Sequence, residues 1–127
     1  MPGKLVSRMS KRKCLTISEV DTIKSASQKF HENQIGCMPV LDKNKKVVGI
    51  FTDGDLRRTL QKNSNLSNLK IKSIMTKNPL TIGGDTLAAE ALNILETNEI
   101  TSLLITSNTK QLSGIITLNA ILRAGIE

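Results

Sequence analysis

Apolar positions along this chain recur in a fixed order, and the whole order occurs twice. Leu15-Thr16-Ile17 is a short extended run, and behind it Ile23, Ala26 and Phe30 mark one face of a helix. An apolar strand from Cys37 to Leu41 follows, then the polar turn Asp42-Lys43-Asn44-Lys45 and a second strand from Val47 to Thr52, a hairpin pattern. A second short helix is expected to start near Asp53. Further on, Leu80-Thr81-Ile82 opens the same series. Leu87, Ala91, Ile94 and Leu95 supply the helical face, Ser102 to Ile105 the first strand and Ser107-Asn108-Thr109-Lys110 the turn. Leu112 to Thr117 is the second strand, with a helix from Leu118. Each copy therefore predicts β-α-β-β-α, a mixed α/β (α+β) fold.

A shift of 65 positions aligns Leu15–Arg58 with Leu80–Arg123 without a gap, and 11 of the 44 pairs are identical, among them Gly49-Ile50 with Gly114-Ile115 and Thr52 with Thr117. Self-similarity at a fixed period signals two copies of one structural unit. The expected organisation is a basic, frayed N-terminal extension at 1–12, a first repeat at 13–62, a polar connector at 63–77 and a second repeat at 78–127.

Composition changes this picture in two places. With two Phe and neither Trp nor Tyr, the core must be assembled from Ile, Leu, Val, Met and Ala. Charge is lopsided along the chain: residues 1–77 hold 16 basic and 6 acidic residues, and 78–127 hold 2 and 5. Such asymmetry marks an anion-binding face, a partner surface or a nucleic-acid footprint without choosing among them. No run approaches the roughly 18 apolar residues of a membrane helix, and the N-terminus lacks a signal-peptide pattern, so a cytoplasmic protein with no membrane partner is expected. Cys14 and Cys37 stand alone and read as reduced structural thiols. Asp53 and Asp55 have no third ligand spaced to complete a metal site, and the single histidine, His31, reads as a surface position of the first helix.

The segment richest in chemistry is Gly49-Ile50-Phe51-Thr52-Asp53-Gly54-Asp55-Leu56-Arg57-Arg58, where a strand runs directly into a helix. Helix N-terminal amides favour an anion, Arg57 and Arg58 suit phosphate oxygens, and Asp55 suits the hydroxyls of a ribose. The same Thr-x-x-Asp spacing is also that of a capping box, in which Thr52 and Asp55 only satisfy free amides, and arginines on a helix often form a solvated face. Spacing leaves both open.

This decapeptide resembles the first repeat of the CBS-domain pair at the C-terminus of bacterial arabinose 5-phosphate isomerases. Ile74-Met75-Thr76 is similar to the linker motif of such pairs. Ala88–Leu92 with Ile100-Thr101-Ser102 is similar to their second repeat, and Leu122-Arg123-Ala124-Gly125-Ile126 to the end of these enzymes. The resemblance implies two CBS repeats packed as a pseudo-two-fold pair, with adenosine-type ligands in clefts between them. It nominates Thr52 and Asp55 for the ribose, and Ile17, Gly36, Cys37 and Met38 for the walls. Thr117 and Asn119 correspond in the second repeat, but Ala120 stands where an aspartate would clamp a ribose, so one competent site is expected.

It further implies an upstream sugar-isomerase domain that interconverts ribulose 5-phosphate and arabinose 5-phosphate for Kdo and lipopolysaccharide synthesis. This chain would itself be non-catalytic, with no cofactor, and an adenine nucleotide or CMP-Kdo would be its effector. Homo-oligomerisation through the CBS pair is expected, and a pair that only mediates oligomerisation and binds no ligand is the competing role. Nucleic-acid binding, suggested by Arg8, Lys11, Arg12 and Lys13, is opposed by the lack of aromatic stacking platforms and of any recognisable motif.

Overall fold

The computed structural model describes residues 4–9, 15–32, 36–62 and 68–125, with the side chains of 30–32 excepted. Cys14, the basic triplet 11–13, the His31 side chain and Ile126 lie outside that description. Two compact units result, one built on residues 15–79 and the other on 80–127 together with the N-terminal segment.

The first unit runs β1 (Ile17–Ser18), α1 (Ile23–Glu32), β2 (Cys37–Leu41), β3 (Val47–Thr52), α2 (Asp53–Lys62) and β4 (Thr76–Lys77). The second runs β5 (Thr81–Ile82), α3 (Ala88–Thr97), β6 (Ser102–Thr106), β7 (Leu112–Thr117) and α4 (Leu118–Arg123). Both follow the expected β-α-β-β-α order. In each, the first strand lies parallel to the second and the second antiparallel to the third, with Ile17 opposite Val40 and Ile82 opposite Ile105. The hairpins share a register, Cys37 facing Thr52 and Ser102 facing Thr117. Each slips by one residue after Val40 or Ile105, so Val48 and Ser113 are bulged at matching positions. Left-handed Lys45 and Lys110, both at φ 65°, close the two turns.

The ends of the repeats depart from the sequence reading. Residues 4–9 are no frayed tail: Val6 sits in a 3-10 turn (Val6–Arg8), is fully buried, and joins Ala91, Leu95, Leu103, Ile116 and Ile121 in the core of the second unit. The Lys4 carbonyl accepts from the amide of Ala88, and the Thr86 carbonyl accepts from that of Val6, at 2.8 and 2.9 Å. Because Leu87, the N-cap of α3, has no capping side chain, this segment satisfies the helix's first amide. In the first unit the 3-10 turn Ile71–Ser73 does the same. Its Leu69 carbonyl accepts from Ile23, its Ile71 amide donates to Asp21, and buried Ile71 joins Ile17, Ala26, Met38 and Phe51. Each partner here lies 65 positions from its counterpart, so the repeat extends upstream of Leu15 into the supposed tail, and residues 68–77 build the first unit.

Charge is redistributed accordingly. Lys4 and Arg8 join the acidic second repeat, and by sequence the unit of 15–79 holds 11 basic and 6 acidic residues against 7 and 5 in the other. Both units are mildly basic, so the steep asymmetry along the chain is not one between units.

Strand β4 pairs with β3 through Gly49 opposite Lys77 and Ile50 opposite Thr76. A Cβ on Gly49 would stand 2.8 Å from the Thr76 carbonyl oxygen and 2.6 Å from the Met75 sulfur. The sulfur can move aside but the backbone oxygen moves only with the strand. Gly49→Ala is expected to destabilise the first unit by about 1–3 kcal/mol, the usual cost of overpacking, read from urea denaturation. A change below about 0.5 kcal/mol would mean that β4 is not held against Gly49.

Candidate functional site

The β3–α2 junction places Thr52 at the helix N-cap and Asp55 three residues on. The Thr52 amide donates to Asp55 Oδ2 at 3.0 Å and the Asp55 amide to Thr52 Oγ1 at 3.2 Å, a reciprocal capping box. Of the two uses that the spacing allowed, capping is therefore realised. It does not exhaust the carboxylate, which is only 3% exposed. Thr52 Oγ1 donates to Oδ2 at 3.1 Å, and Thr76 Oγ1, from β4, lies 3.0 Å from Oδ1 and 3.2 Å from Oδ2. Arg58 Nη2 donates to Oδ1 at 2.6 Å. Four donor groups thus meet the roughly four lone-pair positions of one carboxylate, which is how the cost of burying a charged group is offset. Thr59 adds a bond from its hydroxyl to the Asp55 carbonyl at 2.7 Å.

Beside this network α2 and the 71–73 turn enclose an open concavity of about 410 Å³. Asp55, Arg58 and Lys62 line it on the helix side, and Leu69, Ser73 and Ile74 on the other. Arg58 and Lys62, one helical turn apart, give it a positive rim. The helix N-terminus itself is less open to an anion than expected. The Gly36 carbonyl accepts from the Asp53 amide at 3.2 Å, Thr52 takes the Asp55 amide, and Asp53 and Asp55 bring negative charge to the first turn.

The residues nominated from the sequence separate into groups. Thr52, Asp55 and Arg58 meet in one network, whereas Arg57 is exposed and borders neither the network nor the concavity. The hairpin register sets Cys37 beside Thr52, and Gly36, at φ +80°, lies under the Asp53 carboxylate. Ile17 and Met38, at 2% and 0% exposure, direct their side chains into the core and offer only backbone to a ligand. Sequence reasoning missed Thr76, Lys62 and Ser73 as neighbours of Asp55. The 65-position shift gives no identical pair between 4–14 and 69–79, so the sequence held no signal that residues 70–76 belong to the fold of the first unit.

At the matching junction of the second unit, Thr117 caps α4 by accepting from the Ala120 amide at 3.2 Å, and no carboxylate returns the bond. Arg123, the counterpart of Arg58, donates instead to the Asn119 carbonyl at 3.4 Å. The adjoining concavity, about 430 Å³, is bordered by Asn119, Leu122 and Arg123. Among the described residues no group of three potential metal ligands occurs, and no helix is long and apolar enough to cross a membrane.

The model of the CBS domain family matches residues 6–62 and 71–127, so both matches reach into the segments that the fold exchanges. Among curated relatives, an arabinose 5-phosphate isomerase KdsD of Yersinia pestis is 34% identical over 111 residues, 87% of this chain and 34% of that protein. The KdsD of Pseudomonas aeruginosa is 39% identical over 72% of this chain and 28% of its own length. The chain thus spans about a third of the curated relatives it matches. Among solved structures, the CBS domain pair of protein MJ0100, in complex with 5′-methylthioadenosine and S-adenosyl-L-methionine, superposes with TM-score 0.86 at 24% identity, covering 98% of this chain and 97% of that one. CBSX2 in complex with AMP gives 0.85 at 24%, covering 97% and 96%.

Proposed function

The chain belongs to the CBS domain family as a tandem pair, and we propose on that premise that it is a regulatory module whose first repeat binds an adenine nucleotide. The observation that carries this reading is the buried Asp55 carboxylate beside a concavity rimmed by Arg58 and Lys62. A carboxylate able to accept from a ribose hydroxyl once a present donor leaves it stands next to cations for a phosphate, and apolar Leu69 and Ile74 form a wall. Relatives with adenosine-type ligands, 5′-methylthioadenosine, S-adenosyl-L-methionine and AMP, support the adenine choice over CMP-Kdo. In this reading Ala120 leaves the second repeat without a ribose acceptor, and one nucleotide binds per chain.

The KdsD relatives, about three times the length of the match, support a full-length protein in which the pair regulates an arabinose 5-phosphate isomerase domain. The reaction belongs to that domain and the ligand response to this pair.

A thermal-shift screen against AMP, ADP, ATP, CMP, CMP-Kdo and arabinose 5-phosphate tests the reading. At a hundred times the dissociation constant, a bound nucleotide adds ~2.7 kcal/mol of stability, on the order of 10 °C for units of this size. An adenine nucleotide is expected to give that shift. A shift by CMP-Kdo alone would replace the adenine assignment. No shift with any compound, in a protein that melts cooperatively as a dimer, would favour ligand-free assembly. That second reading has its own support in Leu60 on α2 and Leu122 on α4, 54% and 48% exposed.

A further inference from the structure

The Asp55 carboxylate has no acceptor position left for a ribose hydroxyl, so binding at this site requires one present donor to leave. Two of the four, the Thr52 amide of β3 and the Thr52 hydroxyl that caps α2, are tied into backbone structure. Thr76 Oγ1 reaches both carboxylate oxygens from β4, whose backbone is paired with β3. The fourth, Arg58, is 61% exposed and reaches back across Gly54, where a Cβ would stand 3.2 Å from its Nη1. As the longest of these side chains it can swing away without disturbing a strand or a cap. Arg58 also lines the concavity with Lys62, four residues on.

We infer that this concavity is a phosphate subsite and that Arg58, parked on Asp55 in the empty pair, makes the pair select phosphorylated nucleosides over unphosphorylated ones. The inference rests on the nucleotide reading above. When the ribose takes Oδ1, a ligand phosphate gives the displaced guanidinium a second anion, with Lys62 beside it, and one charge-assisted bond is exchanged for another. A nucleoside without phosphate takes the same acceptor but leaves Arg58 with water only, so the lost ion pair counts fully against it. Arg58 is thus a specificity determinant through what it does before the ligand arrives. The second unit shows the contrast: without an aspartate, Arg123 rests on a backbone carbonyl.

The test is isothermal titration of AMP and adenosine, with CMP and cytidine as a second pair, into the wild-type chain, Arg58→Ala and Lys62→Ala. The wild type is expected to prefer the monophosphate by at least about tenfold, the equivalent of one charge-assisted bond. Arg58→Ala is expected to weaken the monophosphate and tighten the nucleoside, bringing the two within about threefold. Lys62 has no bond to Asp55, so Lys62→Ala weakens the monophosphate and leaves the nucleoside unchanged. If Arg58→Ala shifts both ligands in parallel, or leaves their ratio as in the wild type, the selection role is overturned while the nucleotide reading stands. If none of the four ligands binds any of the three proteins, both fall together.

Discussion

Asp55→Ala is expected to lower the stability of the first unit by about 2–4 kcal/mol and to weaken nucleotide binding at least about tenfold. The stability loss follows from the census of its partners. The substitution removes one half of the capping box, the acceptor for Thr76 that ties β4 to α2, and the partner of Arg58. A helix cap contributes about 0.5–2 kcal/mol and a hydrogen bond to a charged group about 1.5–3 kcal/mol, but Arg58 is exposed and its share is small. Thr52 and Thr76 both border solvent and recover part of their bonding from water, so a simple sum is not expected. The binding loss follows from removal of the hydroxyl acceptor. Urea denaturation measures the first effect, and titration calorimetry well below the melting temperature measures the second. A stable variant would show that the network is decorative. A destabilised variant with unchanged affinity would confine Asp55 to capping and remove the ribose acceptor from the proposed site.

The second large effect lies where the sequence suggested none. Val6→Ala is expected to cost about 2 kcal/mol, the transfer and cavity terms for a valine that is fully buried. A substitution in a solvated basic tail would cost less than about 0.5 kcal/mol. Its location is as informative as its size: amide exchange should accelerate in α3, β6 and β7, about 80 to 110 residues along the chain, with β2 and β3 less affected. Ile71→Ala is the mirror experiment. It should cost about 2–5 kcal/mol and loosen α1, β2 and β3, because Ile71 fills the place in the first unit that Val6 fills in the second. Equal acceleration across both units for either variant would mean that the two segments do not serve separate cores.

The repeat, the β-α-β-β-α order, the two hairpins, and the placement of Thr52 and Asp55 at a strand-to-helix junction are all readable from the linear chain. These are legible because they rest on local periodicity and turn chemistry, and because each was stated twice, 65 residues apart. Gly36 and Cys37 beside Thr52 follow from the hairpin register once the turn is known. Where residues 4–9 and 68–77 belong emerges only from the packing of the two cores. Leu5-Val6-Ser7-Arg8-Met9 and Lys70-Ile71-Lys72-Ser73-Ile74 are too short to show a period, and each has a single anchor whose burial depends on a core formed elsewhere in the chain. The charge imbalance along the chain is not one between units, because Lys4 and Arg8 belong with the second repeat. The state of Asp55 was likewise beyond sequence. Capping and ligand binding ask for the same two residues at the same spacing. What distinguishes them is whether acceptor positions remain, and that depends on Thr76, 21 residues away, and on the rotamer of Arg58. A hydrogen-bond census of a buried charge is a property of three-dimensional packing, which no linear pattern records.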